Sequence, residues 1–244
     1  MLRSRRRSRS PSPASDRPWA IITGASSGIG RALASEAAKR GCNVVLVARR
    51  AAALSDLAAT IEQEHGAQTQ VVALDLARPG SAESLHSTTA PLLGRVELLV
   101  ANAGRSWSGR LTEQPADVLE QMLELNVATV ARLCRLYAAD FARHGRGALL
   151  LTSSLVSLAP LPHASLYGAS RAFVRSLALG LRDECAAAAP RARGCKLRVK
   201  RPQSHASVHT SVHASVHASV HVSAPLLQVR TGRRGRGMPA AGGN

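Results

Sequence analysis

The sequence predicts an α/β fold, a doubly wound parallel sheet covered by helices on both faces. Three observations predict it. Short apolar runs alternate with helical stretches from Trp19 onward. The first apolar run passes straight into a glycine-rich turn, Thr23-Gly24-Ala25-Ser26-Ser27-Gly28-Ile29-Gly30. Gly24, Asp75, Asn102 and Ser153-Ser154 all fall at or just after the ends of apolar runs. Right-handed crossovers place those ends on one edge of the sheet, where such folds bind ligands.

In order, Trp19–Thr23 reads as a strand and Gly28–Arg40 as the helix that leaves the glycine turn. The continuous apolar run in Asn43–Ala48 predicts a buried strand, and Ala51–His65 a helix. Gln70–Leu74 is a strand and Gly80–Leu92 a helix. Val96–Ala101 is a strand, followed by one long helical stretch over Ala116–His144. Ala148–Thr152 is the fifth strand, and Ala164–Ala187 the second long helix.

Charge divides the chain. Of the net +17, residues 1–17 carry +5 and residues 191–244 carry +10, so the segment between them is nearly neutral. Acidic partners such as nucleic acid are therefore expected only at the basic ends. Three parts follow: an Arg/Ser-rich disordered segment at 1–17, a domain at 18–199, and a low-complexity tail at 200–244. The first has no apolar core of a secretory signal. It fits an organelle transit segment, an RS-like tail or a plain extension. The four cysteines form no C-x-x-C pair, which points to reduced thiols in an intracellular protein, cytoplasmic or organellar. No apolar window is long enough for a transmembrane helix.

The glycine turn is a phosphate-binding device. Gly24 permits a tight turn, and Gly28 and Gly30 let backbone approach a pyrophosphate. The helix that follows aims unpaired N–H groups and its positive dipole end at the anion. Ser26 and Ser27 add hydroxyls. At the end of the second strand a site selective for NAD carries an acid; here Ala48 is followed by Arg49-Arg50. Guanidinium groups suit a 2′-phosphate, so NADP(H) is expected over NAD(H).

Five ordered motifs carry a resemblance to the short-chain dehydrogenase/reductase family. They are Thr23 to Gly30 with Asp75-Leu76, then Asn102-Ala103-Gly104, Asn126-Val127, Ser154, and Tyr167-Gly168-Ala169-Ser170-Arg171. The resemblance covers about residues 18–190 and implies a Rossmann-type domain and a dimer or tetramer built through the two long helices. It implies cofactor contacts at Thr23, Gly24, Ser26, Ser27, Gly28, Ile29, Gly30, Asp75, Leu76, Asn102, Ala103 and Gly104, with Asp75 at the adenine. It also implies a reacting centre of Ser154, Tyr167, Arg171 and Asn126, with Tyr167 and Arg171 touching the cofactor as well. The chemistry so implied is hydride exchange with a small-molecule carbonyl or alcohol. Serine would hold the substrate oxygen, tyrosine would move the proton, and asparagine would anchor a water relay.

A free phenol titrates near ~10 and is a poor base at neutral pH, and a neighbouring cation stabilises its charged form. Tyr167 and Arg171 sit four apart and share a helix face. The family has lysine where this chain has Arg171. Arginine keeps the charge but does not release its proton, which predicts a slower enzyme rather than a dead one. An alternative is an NADP(H)-binding protein with little turnover.

The pattern departs after about residue 190. Gly194–Val199 is a trace of the family's next strand, but no Pro-Gly follows. Instead come Ser-Val-His repeats over 207–222 and an Arg/Gly-rich end, so the sheet is expected to be incomplete at that edge. The repeated histidines read as low complexity rather than a metal site, and no metal is expected.

Overall fold

A computed structural model of the chain describes residues 14–188. The Gly194–Val199 strand, the Ser-Val-His repeats and the Arg/Gly-rich end lie outside the described residues, as do residues 1–13. The described chain forms β1 (Trp19–Thr23), α1 (Gly28–Lys39), β2 (Asn43–Ala48), α2 (Ala51–His65) and β3 (Thr69–Ala73). It continues through α3 (Ser81–Thr88), β4 (Val96–Ala101), α4 (Ala116–Leu123), α5 (Thr129–His144), β5 (Ala148–Leu151) and α6 (Ser165–Ala188).

All five strands are parallel, in the order β3-β2-β1-β4-β5. The chain thus winds outward one way from β1, crosses back, and winds the other way from β4. The crevice where this reversal occurs, beyond the ends of β1 and β4, is the place such sheets bind ligands.

Alternation along the strands builds two cores. Ala20, Ile22, Val44, Leu46 and Val100 pack against Ala34 of α1 and Leu54, Leu57 and Ile61 of α2. Ile21, Val45, Val47, Leu99 and Leu151 face the other way, onto Leu85 of α3, Leu133 and Phe141 of α5, and Val174 of α6. Covered on both faces, β1 is buried at every residue. That explains its unbroken apolar sequence. Described residues ahead of 18 are bonded to this domain: Asn43 Nδ2 donates to the Ala14 carbonyl (2.7 Å), and Arg95 Nη2 to that of Arg17 (3.0 Å).

Two helical stretches differ from expectation. The stretch over Gly80–Leu92 divides at Thr89 into α3 and a 3-10 turn, Ala90–Arg95. Pro91 has no N–H to continue the α-helix. The stretch over Ala116–His144 is interrupted by a π-turn at Glu124–Ala128. Such insertions re-aim side chains and gather at functional sites. Here the π-turn carries Asn126, which is fully buried. None of the described helices is long and apolar enough to cross a membrane.

Under α3, the Tyr137 hydroxyl is hydrogen-bonded to Thr89 Oγ1 (2.7 Å), and the ring meets His86 edge-on. Burial pushes the Tyr137 phenol up from 10.0 to about 12. The folded state therefore holds that proton more tightly than the unfolded chain. Its contribution is complete below pH 10 and is lost as pH rises through about 12. Tyr137→Phe should flatten the fall of Tm over that window. Thr89 Oγ1 keeps its bond to the Leu85 carbonyl (3.0 Å), so the variant should still fold. An unchanged pH slope in the melting curves would show that other groups set alkaline stability.

Candidate active site

The ends of β1, β4 and β5 are stitched together by polar side chains. Thr23 Oγ1 donates to the Val100 carbonyl (3.0 Å) and accepts from the backbone N–H of Asn102 (2.9 Å) and Ala103 (3.0 Å). Asn102 Nδ2 donates to the Thr23 carbonyl (3.1 Å), and its Oδ1 accepts from Thr152 Oγ1 (3.2 Å). Asn102 therefore ties the ends of β1, β4 and β5 together beneath the glycine turn.

Gly24 and Gly28 have φ of +70° and +53°, the left-handed region that favours glycine. Gly30 is needed for space. A Cβ there would overlap the Gly24 carbonyl oxygen and stand 2.7 Å from Asn102 Nδ2. Ser27 precedes α1 without capping it through its side chain, so the first-turn N–H groups remain available to an anion. From the end of β2, the exposed Arg50 donates through Nη2 to the carbonyl (3.1 Å) and hydroxyl (3.2 Å) of Ser26. It lies against the turn as a positive edge, while Arg49 is exposed beside it. Asp75 Oδ1 accepts from the Ala77 N–H (3.1 Å) and shapes its own turn. The Leu76 carbonyl receives Ser81 Oγ (3.2 Å) and Thr129 Oγ1 (2.9 Å), tying α3 and α5 to this edge. A cradle of bare backbone, free helix N–H groups and a cationic rim fits a dinucleotide phosphate.

Beyond β5 lies the second half of the site. Ser154 is 1% exposed, yet its Oγ has no hydrogen-bond partner. Ser153 Oγ donates to the Arg171 carbonyl (2.9 Å), fastening α6 to the strand end. Tyr167 and Arg171 are both buried, and Arg171 Cζ lies 5.1 Å from the centre of the Tyr167 ring. The guanidinium donates through Nη1 to the Thr152 carbonyl (3.2 Å), while Nε is buried without a partner. The cation therefore rests on the ring face, and the spacing of four residues does bring the two together.

The side-chain amide of Asn126 is bonded on both sides. Its Oδ1 accepts from the Arg105 N–H (2.9 Å), and its Nδ2 donates to the Arg105 carbonyl (2.8 Å) and Ser170 Oγ (3.1 Å). The amide clamps the loop after β4 onto α6.

A family model of the short chain dehydrogenases matches residues 18–193. The chain belongs to that family. A 7beta-hydroxysteroid dehydrogenase of Clostridium sardiniense is 35% identical over 169 residues, which are 69% of this chain and 64% of that protein. The chain thus spans just under two thirds of that curated relative. Among solved structures, the bulky-bulky ketone specific alcohol dehydrogenase from Comamonas testosteroni superposes with a TM-score of 0.69 at 33% identity. That match covers 75% of this chain and 71% of that one. A short-chain dehydrogenase from Sphingobium yanoikuyae in complex with NADPH gives 0.67 at 35% identity, covering 74% and 68%.

Sequence reasoning quotes Ser153 and Ser170 only as parts of motifs, without a role, and does not single out Thr152. Ser170 lay in view, three residues after Tyr167 and on its face of the helix. Its Oγ donates to the Tyr167 carbonyl (2.8 Å). An open cavity of about 550 Å³ lies elsewhere, between the 156–162 segment and the face of α6 bearing Gly168, Ala169 and Ala172. By helical rotation that face is turned away from Tyr167 and Arg171, and neither they nor Ser154 line the cavity.

Proposed function

We propose that this chain is an oxidoreductase exchanging a hydride between NADP(H) and a carbonyl or alcohol carbon of a small molecule. One observation carries it most directly: the Ser154 hydroxyl is buried without a protein partner, beyond the same strand end that holds the Tyr167–Arg171 pair. A buried unpaired hydroxyl is costly and is kept where a ligand completes it. The glycine turn and the N-terminus of α1 would hold the pyrophosphate, with Thr23, Ser26, Ser27 and Ile29 around it. Asp75, followed by Leu76, would meet the adenine, and Asn102, Ala103 and Gly104 would line the path to the reacting end.

NADP(H), when bound, supplies or takes the hydride. Ser154 then donates to the substrate oxygen, and Tyr167 moves the proton at that oxygen. Arg171 keeps a fixed positive charge against the ring. Asn126 keeps the Arg105 loop closed over α6. The preference for NADP(H) rests on Arg49 and Arg50 where an acid is missing, and the NADPH-bound relative supports it. Arg50 already reaches the turn that would seat the 2′-phosphate end. Residues 18–199 form the working domain in this reading, which places the protein inside the cell, as a homo-oligomer joined through the long helices.

A second reading has its own observation. With its charge held on the ring face, Arg171 cannot pass protons on, and the chain would bind NADP(H) with little turnover. NADPH oxidation with a panel of ketones and aldehydes separates the two. NADPH should bind more tightly than NADH, and Arg171→Lys should raise kcat by about tenfold or more. Binding without turnover in both proteins would favour the second reading. Absence of NADPH binding by a folded protein would overturn both.

A further inference from the structure

Gly104 follows β4, and its φ is not among the positive values that favour glycine. Its backbone conformation is therefore open to other residues. Its space is not. The three atoms nearest to a Cβ built there all belong to the Arg171 guanidinium. That Cβ would overlap Nη2 and stand 2.9 Å from Cζ and 3.2 Å from Nη1. The fork has little room to retreat. Arg171 is 6% exposed, its Nη1 is bonded to the Thr152 carbonyl at 3.2 Å, and its Cζ lies 5.1 Å from the Tyr167 ring centre.

We propose that Gly104 is a positioning residue, whose missing side chain forms the slot that seats the Arg171 fork against Tyr167. This rests on the assignment of Tyr167 and Arg171 to the reacting centre. The planar guanidinium spans two directions at once, one toward Gly104 and one toward Thr152. An ammonium ends in a single point and needs no second slot. Arginine at 171 is thus half of a matched pair. Changing either half alone leaves an overlap or a void, and changing both together removes the conflict.

The test is a double-mutant cycle on the full chain: native, Gly104→Ala, Arg171→Lys, and the two combined. Melting is read without cofactor, and NADPH affinity and kcat are read separately. With arginine in place, Gly104→Ala should lower Tm and cut kcat by about tenfold or more. In the Arg171→Lys background the same substitution should lower Tm and kcat by clearly less. Failure of Gly104→Ala to fold, with the combined variant folding, supports the pairing equally. Equal losses in both backgrounds would overturn it, because glycine would then serve the turn itself. No loss in either background overturns it too, as does failure of both alanine variants to fold. If none of the four binds NADPH, the oxidoreductase reading fails, while the melting cycle still decides the pairing.

Discussion

Tyr167→Phe is expected to lower kcat by about 10³-fold and to leave NADPH affinity within about threefold. The substitution removes one oxygen and little else. Arg171 Cζ lies 5.1 Å from the centre of the ring, so its attraction is to the π-face, which phenylalanine also presents. The packing of α6 is unaffected, because Ser170 Oγ bonds the backbone carbonyl of residue 167 rather than the phenol. Under the proposed function, only proton movement at the substrate oxygen would be lost. The check is a fluorescence titration with NADPH beside single-turnover kinetics on a ketone that the native chain reduces. Undiminished turnover would move the proton donor elsewhere and sink the assignment. A parallel loss of NADPH binding would show that the hydroxyl holds cofactor instead.

That separation of ring from hydroxyl marks where the sequence stops being legible. The apolar runs place every strand to within a residue or so: β1 and β2, buried almost throughout, match in full, while the partly exposed edge strand β3 starts one residue earlier, at Thr69. The glycine turn is legible for a related reason: few backbones other than a phosphate cradle need Gly24, Gly28 and Gly30 together. The π-turn is not legible. Leu119, Met122 and Leu123 continue the apolar stripe toward Leu133, and no residue type announces an inserted position. Its effect is to seal Asn126 against Arg105 and Ser170, which the motif alone cannot tell from a free amide. Spacing likewise puts Arg171 on the face of Tyr167. Only three dimensions show that the guanidinium reaches back to Gly104, more than sixty residues earlier.

Gly30→Ala should abolish NADPH binding, by about 100-fold or more, and lower stability by about 1–3 kcal/mol, the usual cost of overpacking. A methyl there overlaps the Gly24 carbonyl oxygen and stands 2.7 Å from both the Gly24 carbonyl carbon and Asn102 Nδ2. Neither neighbour can yield cheaply. Gly24 is pinned by its own N–H, which donates to the Val47 carbonyl (2.8 Å). Asn102 is held at both ends of its amide, by the Thr23 carbonyl (3.1 Å) and Thr152 Oγ1 (3.2 Å). Relief must come from pushing α1 away from β1, which moves the helix N–H groups off the anion they would hold. Gly180→Ala is the matched control. It sits in α6 with nothing within 4 Å of the added methyl, so it should melt at the same temperature or slightly higher and bind NADPH normally. The two variants add the same atom to a helix, and only the first adds it beneath the cradle. A Gly30→Ala chain that binds NADPH as well as the Gly180→Ala chain would mean that the pyrophosphate does not sit on this turn.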